Sequence, residues 1–213
     1  MNVRLLVLAL LIAPPVCMAA SFDCAKASTR VEVLICTSPS LSQQDERLAD
    51  AYRMARARSA TPGTITRWQR DWLKSSTLTA CQNFDCVSKE YSARIGLLEQ
   101  VSEDVEEIRW SGNYARAFGG KVDPTAKITI IRLRDNKILI SGSAYWVGAN
   151  PGQVNTGEID GQTAIAVNRA VFDFDGCKGE LSIQGERLVV ESESGCGGLN
   201  VSFIGKYTRQ RQD

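Results

Sequence analysis

Histidine is absent from the 213-residue chain. That omission removes the usual general base near neutral pH, the Ser/His and Cys/His nucleophile systems and every His-containing zinc site. An excess of one charge sign is lacking as well. The 25 Lys and Arg stand against 24 Asp and Glu, a net charge of +1, which excludes nucleic-acid binding driven by overall charge. After residue 20 no apolar run is long enough to span a bilayer. There is no phosphate-binding Gly loop opening a helix, no GxSxG elbow, no HExxH and no EF-hand. Asp173-Phe174-Asp175-Gly176 begins like a calcium loop but lacks the later acidic ligand. No motif calls for a cofactor or a metal. What remains is an ordinary globular composition, 44% hydrophobic and 23% charged, at a length that suits one large domain or two small ones.

The first twenty residues read as an address. Arg4 supplies a positive charge, Leu5 to Ala13 is an unbroken apolar run, and the small residues Ala19 and Ala20 follow. That order is a secretory signal peptide, cleaved after Ala20 to leave Ser21 first and a mature chain with no membrane span. A lipoprotein acylated at Cys17 is disfavoured, because Val16 stands where such signals want a small residue. The compartment is then the periplasm or the cell exterior. Six cysteines remain after cleavage: Cys24, Cys36, Cys81, Cys86, Cys177 and Cys196. An even set in an exported chain reads as disulfides, and the spacings suit zinc poorly.

Residues 21–109 carry helical periodicity. Leu41, Asp45, Leu48, Tyr52 and Ala55 form one stripe, with Ser42 as the expected cap, and the helix should end before Thr61-Pro62-Gly63. Ile65, Trp68 and Trp72 form a second stripe; Val87, Tyr91, Arg94, Ile95 and Leu98 form a third. With a first helix over 25–35, the expectation is a small disulfide-bonded helical bundle. A helix joining Cys24 to Cys36 would hold them about 16 Å apart. The spacing therefore favours Cys36–Cys81 with Cys24–Cys86 over the two local pairings, although four cysteines allow three connectivities. Asp45 and Arg94, charged positions on apolar stripes, read as an ion pair between helices, with a polar binding centre as the sharper alternative.

From Trp110 the period drops to two. Strands are expected over 127–133, 137–146, 162–167, 170–175, 180–184, 187–193 and 200–208, so that residues 110–213 form an antiparallel meander closed as a barrel or packed as a sandwich. The fold class is thus α+β with the two kinds of element segregated. Gly112-Asn113-Tyr114-Ala115-Arg116 is echoed by Gly205-Lys206-Tyr207-Thr208-Arg209, which would suit first and last strands meeting in a barrel. Cys177 and Cys196 flank the turn at Gly185-Glu186 and should bond across that hairpin. Asp173, Asp175, Glu191 and Glu193 read as a solvated outer face, with a carboxylate pair for glycan hydrolysis as the alternative. Ser141, Gly142, Tyr145 and Trp146 form a candidate recognition surface, since aromatic anchors concentrate binding energy at interfaces.

Phe22-Asp23-Cys24-Ala25-Lys26-Ala27, Glu32, Ile35-Cys36, Leu48, Ala51-Tyr52, Gln69-Arg70-Asp71-Trp72-Leu73, Cys81, Cys86 and Tyr91-Ser92-Ala93-Arg94-Ile95 together resemble the LprI-type lysozyme-inhibitor amino-terminal domain over residues 21–98. The resemblance implies an exported helical domain of bacterial envelope proteins. The β region, with its disulfide and its SG…YW stretch, is similar in outline to inhibitors of c-type lysozyme, which enter the lysozyme cleft with a loop bearing Ser and Lys. Here the loop after Trp146 has no Lys. These resemblances imply a non-enzymatic binding protein whose partner is lysozyme or another envelope protein. A peptidoglycan-associated interaction protein is the alternative, and a carboxylate-based hydrolase the third reading.

Overall fold

A computed structural model of the chain describes residues 20–103, 109–150 and 152–210. Of the expected leader 1–20, residues 1–19, Cys17 included, lie outside the described residues, and Ala20 is buried against the helical cluster. Thr29 sets the start of the first helix. Its hydroxyl accepts from the Glu32 N–H while the Glu32 carboxylate accepts from the Thr29 N–H, a reciprocal capping box. The backbone N–H groups of Ser28 and Thr29 hold that carboxyl below its ordinary range. The expected helix over 25–35 is therefore two elements, a 3-10 turn at Cys24–Lys26 and α1 at Arg30–Thr37.

That break corrects the disulfides. With the chain turning between residues 26 and 30, Cys24 folds back onto Cys36 at a Cα separation of 5.7 Å, and Cys81 bonds Cys86 at 5.4 Å. The expected pairs Cys36–Cys81 and Cys24–Cys86 do not form, because the 16 Å estimate assumed one straight helix between Cys24 and Cys36. The cap of α2 (Pro39–Arg58) is likewise displaced. Ser38 caps it, Pro39 occupies the first turn, and Ser42 lies inside the helix, donating its hydroxyl to the Ile35 carbonyl at 2.8 Å. The helix does end before Thr61, and Pro62 opens α3 (Pro62–Leu73). After α3 come the single turn α4 (Ser76–Thr79) and α5 (Phe84–Gln100), the latter capped by the Asn83 side chain.

The expected stripes are buried. Leu41, Leu48, Ala55, Ile65, Trp68, Val87, Tyr91, Ile95 and Leu98 share one apolar cluster, with Tyr52 and Trp72 half-buried at its edge. Asp45 and Arg94 are buried too, but not as a pair. Asp45 accepts from the Tyr91 hydroxyl, whereas Arg94 lies 3.3 Å over the Trp68 ring and donates from Nε to Gln69 at 2.8 Å.

Eight strands follow: β1 (Gly112–Phe118), β2 (Lys121–Leu133), β3 (Lys137–Val147), β4 (Val154–Ala166), β5 (Arg169–Phe174), β6 (Cys177–Gln184), β7 (Arg187–Ser194) and β8 (Gly205–Arg209). They form a closed antiparallel barrel in chain order, with β1 returning to β8, so the barrel and not the sandwich is the outcome. Inward positions on alternating residues fill the interior: Ile128 and Ile130, Ile138 and Ile140, Ile159, Phe172, Leu181 and Ile183, Leu188 and Val190. Cys177 and Cys196 are bonded, as expected.

The echo between the ends marks the closing seam, where Arg116 faces Tyr207 and Tyr114 faces Arg209. The likeness extends to the hydrogen bonds. The Tyr114 hydroxyl donates to the Trp110 carbonyl at 2.9 Å and the Tyr207 hydroxyl to the Phe203 carbonyl at 2.6 Å, each four residues back. Arg209 donates to the carbonyl of Ser111 beside one motif, and Arg116 to that of Ser202 beside the other. The absence of a side chain at Gly112 leaves room for this arrangement. A Cβ there would stand 2.7 Å from the Arg209 guanidinium and 3.1 Å from the Tyr114 ring.

The helices rest on the outside of this barrel. Ile131, Leu133 and Leu139 belong to the outward faces of β2 and β3, yet they are buried in the helical cluster. Each such burial is worth about 1.5–3 kcal/mol. Val101 bridges to Leu133, the Ser102 N–H donates to the Arg132 carbonyl, and Arg58 caps the end of α5 through the Leu98 and Val101 carbonyls.

Candidate functional site

Further along the same outer face the apolar contacts give way to polar side chains, and α3 and the sheet part into a cleft of about 810 Å³. The outward positions of the strands supply its floor. Thr129, Ser141 and Asp160 stand side by side across β2, β3 and β4, and Lys127, Ser143 and Glu158 form the next row. The exposed side of α3 supplies a wall of Arg67, Arg70, Asp71 and Lys74. These four alternate with the buried Trp68 and Gln69 and the half-buried Trp72, which an amphipathic helix permits.

Of the expected recognition residues, Ser141 and Gly142 line this cleft. Tyr145 and Trp146 do not. Tyr145 lies towards the β3–β4 turn at 39% exposure, and Trp146 is half-buried. Of the residues that dominate the cleft, Arg67, Lys74, Lys127, Glu158 and Asp160 were not singled out from the sequence, and Arg70 entered only as part of the Gln69–Leu73 motif. The signal available was the outward alternation Glu158-x-Asp160 opposite Ser141-x-Ser143.

Charge at the inner end is unbalanced. Asp160 has its carboxyl raised above the ordinary range by burial and by the neighbouring Glu158 charge, partly offset by Arg94. Burial pulls the Arg94 guanidinium down to about 9, which leaves it charged at neutral pH. Among the described residues its enclosed Nη2 has no hydrogen-bond partner. A buried guanidinium with an unused donor near a carboxylate of raised affinity for protons is an electrostatically poised corner. Glu158 and Asp160 project to the same side of one strand, so they cannot flank a scissile bond from opposite faces as glycosidase acids do.

Of the four acids read as an outer face or a hydrolytic pair, three are engaged elsewhere. Asp173 pairs with Lys178 at 3.0 Å, Glu191 accepts from Arg169 and Ser182, and Glu193 accepts from the Phe203 N–H. Asp175 sits in the β5–β6 turn at φ 52°. Among the described residues no group of His, Cys, Asp or Glu is arranged to hold a metal ion. Comparison with family models, with curated proteins and with solved structures gives no match.

Proposed function

We propose that the protein is an exported, non-enzymatic binding protein of the cell envelope, cleaved after Ala20, whose α3–barrel cleft receives a polar segment of an envelope component. In this reading residues 21–109 and 110–213 are two units that meet at the cleft. The observation that carries it is the cleft itself, concave and lined by charges of both signs with serine and threonine hydroxyls between them. Such walls suit a ligand carrying its own positive and negative groups, as peptidoglycan does, and recognition needs no catalytic group. Three disulfides fit an oxidising compartment. Among the described residues no helix is long and apolar enough to cross a membrane.

The test is retention on purified cell-wall sacculi. The oxidised protein should be retained, and Asp160→Asn and Arg70→Ala should each weaken retention about tenfold, near 1.4 kcal/mol. Equal retention of both variants would remove the cleft from the proposal.

Lysozyme inhibition is the second reading, and a different feature favours it. A plug for a glycosidase cleft must project, and the β1–β2 turn projects Phe118, 84% exposed, beside Gly119, Gly120 and Lys121. Titration into c-, g- and i-type lysozymes, followed by cell-wall clearance, tests it. Protection at micromolar protein that is lost in Phe118→Ser supports inhibition, and clearance unaffected in all three removes it.

A further inference from the structure

Asp45 lies in the middle of α2 with 5% of its surface exposed, between the apolar positions Leu41 and Leu48. A carboxylate this deeply placed needs a counter-charge. Its two oxygens are engaged by the Tyr91 hydroxyl at 3.2 Å and by the backbone nitrogen of Ser21 at 2.6 Å. No lysine or arginine forms an ion pair with it among the described residues. In the uncleaved chain both partners are neutral. Yet Ser21 is the residue that becomes first when the leader is removed after Ala20.

We infer that Asp45 is the receptor for the mature amino terminus, so that processing creates a partly buried ion pair between the Ser21 α-ammonium and the Asp45 carboxylate. This rests on the cleavage position given above. The step balances simply. A peptidase adds water across the Ala20–Ser21 amide, the Ala20 carboxylate departs with the leader, and the Ser21 nitrogen is left protonated at neutral pH. The hydrogen bond already present becomes a charge-assisted one without any atom having to travel.

The surroundings hold the terminus in place. Phe22 packs against the helical cluster, Asp23 caps the 3-10 turn through the Ala25 N–H, and the Cys24–Cys36 bond fixes the chain three residues after Ser21. Tyr91 is a neutral donor whose hydroxyl burial and the Asp45 charge both keep protonated. The α-ammonium therefore supplies the one positive charge that this corner of the helical core lacks. It also gives Asp45, a charged residue on an apolar stripe, a reason to be there.

The experiment uses the full oxidised chain recovered from the periplasm. Intact mass should place its start at Ser21. For stability, the tripeptide 21–23, with a free or an acetylated amine, is ligated to a chain beginning at Cys24, with Asp45 intact or as Asp45→Asn. Acetylation alone and Asp45→Asn alone should each lower the unfolding midpoint by about 10 °C. The doubly altered chain should unfold no earlier than either one. A start at another residue, an acetylated chain with an unchanged midpoint, or additive losses would each overturn the pairing. A start at Ser21 with an unchanged midpoint sinks the ion pair while leaving export and the cleft standing.

Discussion

The helical half and the barrel are held together by opposite strategies. In the helices the covalent links are local, spanning 12 and 5 residues, and Thr29, Ser38 and Asn83 cap the starts of α1, α2 and α5 from the adjacent position. In the barrel the decisive contacts are distant, because β1 and β8 must meet for the wall to exist, and its disulfide spans 19 residues. The interior of the barrel is complete in itself. The helical core is not, since it borrows Ile131, Leu133 and Leu139 from the barrel's outer face. The helical core therefore draws on the barrel's surface, whereas the barrel interior takes no side chain from the helices.

The sharpest way to probe that asymmetry is at the seam. Trp110→Ala and Phe203→Ala remove equivalent, fully buried rings from the twin motifs. Each should cost about 3–5 kcal/mol in urea unfolding, with β-sheet and helix signals lost together. Next comes the borrowed surface. Ile131→Ala and Leu139→Ala should cost about 2–5 kcal/mol each, but the loss should appear in helical circular dichroism and Trp68 fluorescence first. Simultaneous loss of the barrel signal would show that the dependence is mutual.

Disulfide removal refines the comparison. By loop length, breaking Cys177–Cys196 should cost about 3 kcal/mol and breaking Cys81–Cys86 about 2 kcal/mol, as read from unfolding of the paired Cys→Ser variants. The smallest effect concerns Asp123, half-buried beside Arg116 at 2.7 Å. Its carboxyl sits below the ordinary value although burial opposes this, because the Thr125 hydroxyl and N–H and the Arg116 guanidinium all favour the charged form. The stability it contributes is present above the ordinary aspartate value near 3.9 and is lost as pH falls through its depressed value. Asp123→Asn should cost about 1–2 kcal/mol at pH 7, and the difference from the unaltered protein should vanish in strong acid.

Much of the barrel could be read directly from residues. Period-two runs placed β3, β5 and β7 closely and the second half of β6, the glycine–tyrosine–arginine echo indicated the seam, and the flanking turn indicated Cys177–Cys196. β4 was half missed, expected from 162 but beginning at Val154, because two inward positions of its first half are Gly157 and Gly161. Side chains there would collide with Gly197 and Val201 or with the Phe174 ring, so the apolar alternation that identifies a strand is missing. With that segment unread, Glu158 and Asp160 went unnoticed and the cleft with them. The helical disulfides failed for a related reason. The Thr29-x-x-Glu32 box marks the true start of α1, and placing the first helix from residue 25 reversed the pairing.

The seam carries a consequence for biogenesis. Arg209 reaches Ser111 across a sequence separation of 98, so a chain emerging amino end first from the ribosome presents an unpaired β1 edge until almost all of it has emerged. Exposed edges template the wrong partners, and long-range closure is slow. Such a polypeptide is a natural client for holding factors, and nascent chains cut short of the Tyr207 motif should be cleared by proteolysis in preference to accumulating.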